Sequence, residues 1–137
     1  MKRLLTLLII IIANIANAQN DVTFVGYTRA DIRAHVAVSQ NMYLDQSGVS
    51  SQYDRYDEFS FRKSSDMTII CYYNDKDVCK FYKQSMKNLR GFSVIKRDIE
   101  ERYIKIDDNT FVNKSKTLII KFTSDEGYYV IEYSMYK

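Results

Sequence analysis

The stretch TIICYYNDKDVCKFY, Thr68–Tyr82, decides the fold. Met67, Ile69, Cys71 and Tyr73 alternate with Thr68, Ile70 and Tyr72. Period-two patterning of this kind is that of a strand with one buried face. Val78 to Lys83 reads as a return arm, and the polar residues from Asn74 to Asp77 supply turn chemistry between the two arms. The segment is therefore a β-hairpin with one cysteine on each arm. An odd-length loop at Asn74-Asp75-Lys76 sets Cys71 opposite Cys79 and turns Phe81 inward. An even loop sets Cys71 opposite Lys80 and carries that lysine onto the Ile69 and Tyr73 face. Burial favours the odd register.

Seven residues separate the two cysteines. A thioredoxin-type site needs Cys-x-x-Cys. A metal site needs more ligands at suitable spacing than two cysteines and one distant histidine provide. No metal and no cofactor is expected. Two readings stay open: a Cys71–Cys79 disulfide, or a pair of buried thiols packing as small hydrophobes. The compartment bears on the choice, because oxidising surroundings favour the bridge.

The chain begins MKRLLTLLIIIIANIANAQND. Lys2 and Arg3 form a basic start, Leu4 to Ile12 an apolar run broken only by Thr6, and Ala16-Asn17-Ala18 a small-residue cleavage site. This is the pattern of an export signal spanning residues 1–18. The run is shorter than the roughly 20 residues of a bilayer span, so no integral membrane segment is expected after cleavage. No cysteine stands at the cut to carry a lipid. The short, plain leader reads as bacterial, which implies a periplasmic or extracellular destination. Asn113-Lys114-Ser115 would accept a glycan only on a eukaryotic secretory route.

Residues 19–137 then form a single domain. The full chain carries 20 basic and 17 acidic residues. Loss of Lys2 and Arg3 leaves 18 basic residues and a formal charge of +1. So weak a field excludes the usual nucleic-acid binder, and no nucleic-acid partner is expected. The chain has 12 tyrosines, 7 phenylalanines, no proline and no tryptophan, a profile suited to sheet.

Outward from the hairpin, Gln19–Val25 reads as an edge strand. Thr28 with Asp31 forms a capping pattern that starts a helix near Arg29, with Ile32 and Val36 on one face. Residues 41–57 read as a loop. Phe59 and Phe61 alternate with Ser60 and Arg62 as a strand. Downstream, Ser85 is the expected cap of a second helix whose stripe is Leu89, Phe92, Ile95, Ile99 and Tyr103. IDDNTF reads as a turn or the start of a strand. TLIIKF and YYVIEYSMY flank Ser124–Gly127 as a second hairpin, with Gly127 available for positive φ. The expected fold is α+β: an antiparallel sheet of five to six strands with two helices packed on one face.

The run GYTRADIRAHV, then a loop, then an aromatic meander resembles the helix-then-meander units of β-lactamase-inhibitor-like and outer-membrane assembly lipoprotein domains. It also resembles small exported bacterial proteins with no assigned function. The resemblance lies in layout, and it implies a binding role without naming a site.

His35 lies one helical turn after Asp31, yet no nucleophile pattern accompanies the two. Asp107-Asp108-Asn109 and Asn74–Asp77 do not follow the alternating calcium-loop pattern. The sheet face turned away from the helices is the stronger candidate. If Ile69, Cys71, Phe81, Leu118, Ile120 and Phe122 point inward, the outer face carries Arg62, Ile70, Tyr72, Lys80, Tyr82, Ile119 and Lys121. The last strand adds either Tyr128, Val130 and Glu132 or Tyr129, Ile131 and Tyr133. Tyr72, Lys80, Tyr82, Lys121 and Tyr128 are the expected binding residues, since tyrosines beside long cations are enriched at interfaces. The functional expectation is an exported, non-catalytic binding or inhibitor-like module for a protein or glycan. Its alternatives are a small hydrolase using two of Asp75, Asp77, Asp107, Asp108 and Glu132, or a self-assembling envelope component.

Overall fold

The computed structural model describes residues 24–39, 41–52 and 54–135. The leader, its cleavage site and residues 19–23 of the expected first strand lie outside the described residues. The chain runs α1 (Arg29–Ser39), β1 (Met42–Val49), β2 (Arg55–Phe61), β3 (Ser64–Tyr73), β4 (Cys79–Met86), α2 (Leu89–Arg102), β5 (Ile104–Asp107), β6 (Thr110–Val112), β7 (Leu118–Asp125) and β8 (Tyr128–Met135). All strands join one antiparallel sheet in the order β1-β2-β3-β4-β8-β7-β6-β5.

The sheet has eight strands, which corrects the expected five to six. Two places account for the difference. β1 lies within residues 41–57, where the sequence shows no alternation. It is an edge strand with five consecutive exposed residues, so neither of its sides carries a hydrophobic signature. β5 and β6 are only four and three residues long, and they turn at Asp108-Asn109 inside what reads as a single turn. β2 also begins earlier than the Phe59 and Phe61 alternation suggests, because its inward position before Phe59 is the charged Asp57.

Both helices cover the same face. Ile32 and Val36 of α1 pack with Phe59, Ile69, Cys71, Tyr73, Cys79 and Tyr82. Phe92 and Ile99 of α2 pack with Met86, Phe111, Leu118, Ile120, Phe122 and Ile131. Burying such side chains supplies about 25 cal/mol for each Å² of apolar surface removed from water. Asn88, not Ser85, caps α2: its side chain accepts from the Gly91 backbone N–H at 3.1 Å. Ser85 is still within β4. Tyr103 ends the helix, and Leu89 is exposed.

The first hairpin takes neither expected register. Its connection extends from Asn74 to Val78, and Cys71 stands opposite Tyr82. The ladder shifts beyond Tyr72, so that Tyr73 stands opposite Cys79 and Lys80 is the extra residue of a bulge. The longer loop has a cause. The Asn74 side chain accepts from the backbone N–H groups of Lys76 and Val78, and Asp77 sits at φ 57°. Thr28 bridges to Val78, and the Arg29 N–H donates to the Asp77 carbonyl at 2.8 Å. The loop is thereby stitched to the start of α1. In the second hairpin Gly127 has φ 85°, the conformation read from the sequence, and Glu126 before it has φ 46°. Two successive positive values are those of a primed two-residue hairpin turn.

One polar group interrupts the covered face. Asp57 is fully buried, and α1 holds its carboxylate. Arg33 donates to Oδ2 and Oδ1 at 2.8 Å each, Arg29 to Oδ1 at 2.7 Å, and the Tyr73 hydroxyl to Oδ2 at 3.1 Å. Beside this clamp, the Asp77 Oδ1 is buried without a hydrogen bond and relies on Arg55 Nη1 at 3.2 Å for compensation. Burial acts to raise the Asp57 carboxyl, but the hydrogen bonds from Arg33 and Arg29 outweigh it and leave the group at about 2.

A carboxylate held below its ordinary value of roughly 4 adds stability that is complete above that pH. The contribution is lost as pH falls through about 2. Asp57→Asn strips the charge and leaves both arginines facing a neutral group. Urea unfolding at pH 7 should show a loss of about 3–5 kcal/mol. The variant should also lack the part of the acid dependence that the wild type shows between pH ~4 and pH ~2.

Candidate functional site: the open face of the sheet

Among the described residues neither helix covers the other side of the sheet, and strand register arranges that side in rows, of which Thr110, Val112 and Val130 are buried and the rest reach the surface. The first row runs Tyr56, Tyr72, Phe81, Ser134, Ile119 and Val112. The second runs Glu58, Ile70, Lys83, Glu132, Lys121 and Thr110. The third runs Ser60, Thr68, Ser85, Val130 and Thr123. One side of the molecule thus presents an aromatic line, a line of alternating charge and a line of hydroxyls.

In the aromatic row, Tyr72 stacks on Phe81 with centroids 4.4 Å apart and planes 15° from parallel. Tyr56 leans toward Tyr72 at 6.3 Å. Tyr56 also lies across Gly48, its partner on β1; a Cβ at Gly48 would come within 3.3 Å of the ring. Glycine at this edge position gives the ring a backbone to lie against. In the charged row, Lys83 pairs with Glu132 at 3.5 Å. Burial and then the nearby Asp45 raise the Glu58 carboxyl above its ordinary value. Burial pushes the Tyr72 hydroxyl up as well.

Tyr72, Lys121 and Tyr128 stand on this face. Lys121 is exposed, directly opposite Glu132. The Tyr128 ring lies 5.0 Å beneath the Lys87 ammonium. Lys80 is the bulged residue, and its ammonium is tied to Asp54 at 2.6 Å. Tyr82 does not belong to the face. It is 3% exposed on the helix side, stacked on Tyr133 at 4.4 Å and edge-on to Phe24 at 5.4 Å. Phe81 takes the outward position instead. The exchange follows from the bulge at Lys80, which inverts the β4 alternation beyond Cys79 and so turns Phe81 outward and Tyr82 inward. β8 turns Tyr129, Ile131 and Tyr133 inward and Tyr128, Val130 and Glu132 toward the open face, where Val130 is itself buried.

The carboxylates proposed for hydrolysis are dispersed. Asp75 and Asp77 occupy the β3–β4 loop; Asp107 accepts from the Asn109 N–H and Asp108 pairs with Lys105 at the β5–β6 turn; Glu132 pairs with Lys83 in mid-sheet. Different acids converge in a groove of about 280 Å³ at one end of the open face, lined by Glu58, Asp66, Asp125 and Glu126 with Thr68, Ser85, Tyr128 and Val130. Among the described residues no group of three or more potential ligands could hold a metal ion. The groove escapes sequence reading because Glu58, Asp66 and Asp125 meet only through the register of β2, β3 and β7. A second cleft, of about 580 Å³, lies between the end of α2 and the β6–β7 turn. Its Asn113 is occupied in holding that turn: the Nδ2 donates to Thr117 at 2.8 Å and the Oδ1 accepts from the Thr117 N–H at 2.8 Å. His35 is exposed on α1 and meets the Phe24 ring edge-on.

Among the described residues no helix is long and apolar enough to cross a membrane. No family model, curated protein or solved structure matches the chain.

Tyr82 and Lys121 separate cleanly by experiment. Tyr82→Ala removes a core ring and should lower stability by about 3–5 kcal/mol. Lys121→Glu alters an exposed sheet position and should change it by less than about 1 kcal/mol. Chemical denaturation of both variants checks the pair of values.

Proposed function

We propose that this chain is a small exported, non-catalytic binding module that captures a protein partner on the open face of its sheet. The observation that carries the reading is the one-sided cover: both helices pack on the Phe59 and Ile131 side, so among the described residues no helix lies over the Tyr56, Tyr72 and Phe81 row. Aromatic residues gathered in a patch with flanking charge have the composition of an interface core.

Ring orientation favours a protein over a glycan. A sugar or a base binds an aromatic residue by lying flat on its face. Tyr72 and Phe81 cover one face of each other, Tyr56 leans toward Tyr72 and the Lys80 ammonium lies over the Phe81 ring, so the row offers little open ring face. Edges and hydroxyls suit side chains and backbone groups of a polypeptide. The groove with Glu58, Asp66, Asp125 and Glu126 adds a preference for basic residues at one margin of the partner. The resemblance of the helix-then-meander sequence layout to inhibitor-like domains supports the same class of function. The leader pattern of residues 1–18 supports an encounter outside the cytosol.

Wild type and a Tyr72→Ser/Lys121→Glu double variant, immobilised at equal density, would be exposed to a native extract. A helix-side control, Lys96→Glu, would be treated identically. A protein retained by wild type and control but depleted at least about tenfold by the double variant is the expected result, equivalent to roughly 1.4 kcal/mol of lost interface. Equal retention on all three surfaces would remove the open face from consideration. Sizing of the free protein at micromolar concentration should give a monomer; a stable assembly would favour the structural-component reading instead.

A further inference from the structure

We infer that the open face also takes a second copy of this chain, weakly, the two sheets meeting face to face about a two-fold axis along the seam between β4 and β8. The inference uses the face assigned above but needs no foreign partner, so it stands or falls separately from the capture reading.

Strand order supplies the argument. The sheet runs β1-β2-β3-β4-β8-β7-β6-β5, so the β4–β8 seam is its midline. A two-fold axis parallel to the strands reverses that order and lays each row over its own counterpart. β4 then faces β8 of the second copy, and β3 faces β7. Such an isologous contact needs a surface that is complementary to its own reverse.

The middle of the face has that property. Lys83 and Glu132 stand opposite one another on β4 and β8, paired at 3.5 Å with side chains 37% and 33% exposed. The axis sets Lys83 over Glu132 of the second copy and Glu132 over its Lys83, which makes four charges of alternating sign. One position outward on each side, Ile70 meets the alkyl stem of Lys121, whose ammonium stays in water. In the aromatic row, Tyr72 meets Ile119, both half-buried in the single chain. Aligned sheets pack about 10 Å apart, a gap that side chains of this size fill.

The same geometry keeps the contact weak. Asp66 on β3 and Asp125 on β7 are exposed at one margin of the face, and the axis turns each toward the other's copy. Like charges there oppose closure, and Lys83 and Glu132 must shed water to meet. Pairing is therefore a high-concentration state that leaves a monomer at micromolar concentration and hides the face from other proteins.

Sedimentation equilibrium of the purified protein from about 10 µM to about 1 mM tests this, with an expected dimer Kd of about 0.1–1 mM. Lys83→Glu and Glu132→Lys should each weaken pairing at least about tenfold. Their equimolar mixture should recover it, since Glu at 83 then faces Lys at 132, and Glu132 of the first variant faces Lys83 of the second. Recovery on mixing is a readout that loss of stability in either variant would not produce. The helix-side Lys96→Glu control should pair like wild type. A wild type that stays monomeric at about 1 mM, association that neither variant alters, or a mixture that stays monomeric would overturn the inference.

Discussion

Asp57 is a charge placed where water cannot reach it, and most of the architecture answers to that. An unpaired buried carboxylate is among the most expensive features a small domain can contain. Here two guanidiniums from consecutive turns of α1 and one tyrosine hydroxyl from β3 enclose it. The arrangement works only if α1 lies across β2 and β3 with Arg29 and Arg33 pointing down. Ile32 and Val36, on the same flank of the helix, are then driven into the core. A purely apolar contact would tolerate sliding of α1 along the sheet; a multiply bonded carboxylate does not. The clamp therefore specifies where α1 sits, and with it which face of the sheet is covered.

What is left uncovered must survive in water. An eight-stranded sheet open on one side would invite aggregation if that side were uniformly apolar. The row structure prevents this. Glu58, Lys83, Glu132 and Lys121 cross the middle of the face, and hydroxyls form the next line. The two edges are blunted in a related way. β1 breaks register at Asp45, and β5 is four residues long with a register shift of its own. Short, bulged, charged edges resist strand addition. The binding potential of the molecule is thus concentrated on its face.

Much of this was legible in the residues. Alternation in Met67–Tyr73, the Thr28 and Asp31 cap, the stripe through Phe92 and Ile99, and the turn glycine at 127 each report local physics that tertiary packing leaves in place. The failures share a cause. β1 carries no alternation because neither of its sides is buried, and Tyr82 reads as outward only if β4 runs without its bulge at Lys80. That bulge follows a five-residue loop held by Thr28, Arg29 and Asp77, a contact between residues roughly fifty positions apart that no local window contains. Asp57 was hidden for the opposite reason: an aspartate at an inward position argues against burial until its arginines are found. The acidic groove is likewise a product of register.

Tyr82 shows how the two halves of the molecule depend on each other. Strand order places β4 beside β8, and this seam is where the α1 half of the core meets the α2 half. Tyr82 stacks on Tyr133 across the seam, and Tyr133 packs against both clusters. On the α1 side the core is pinned by ion pairs and holds the cysteine pair. On the α2 side it is apolar, built from Phe92, Phe111, Phe122, Ile120 and Ile131. The halves therefore respond to different stresses. Acid acts on the Asp57 carboxylate and loosens the α1 half first. Cooling weakens hydrophobic packing and bears harder on the α2 half. The tyrosine stack at the seam makes either loss felt by the other half, because displacing one ring uncovers the face of its partner.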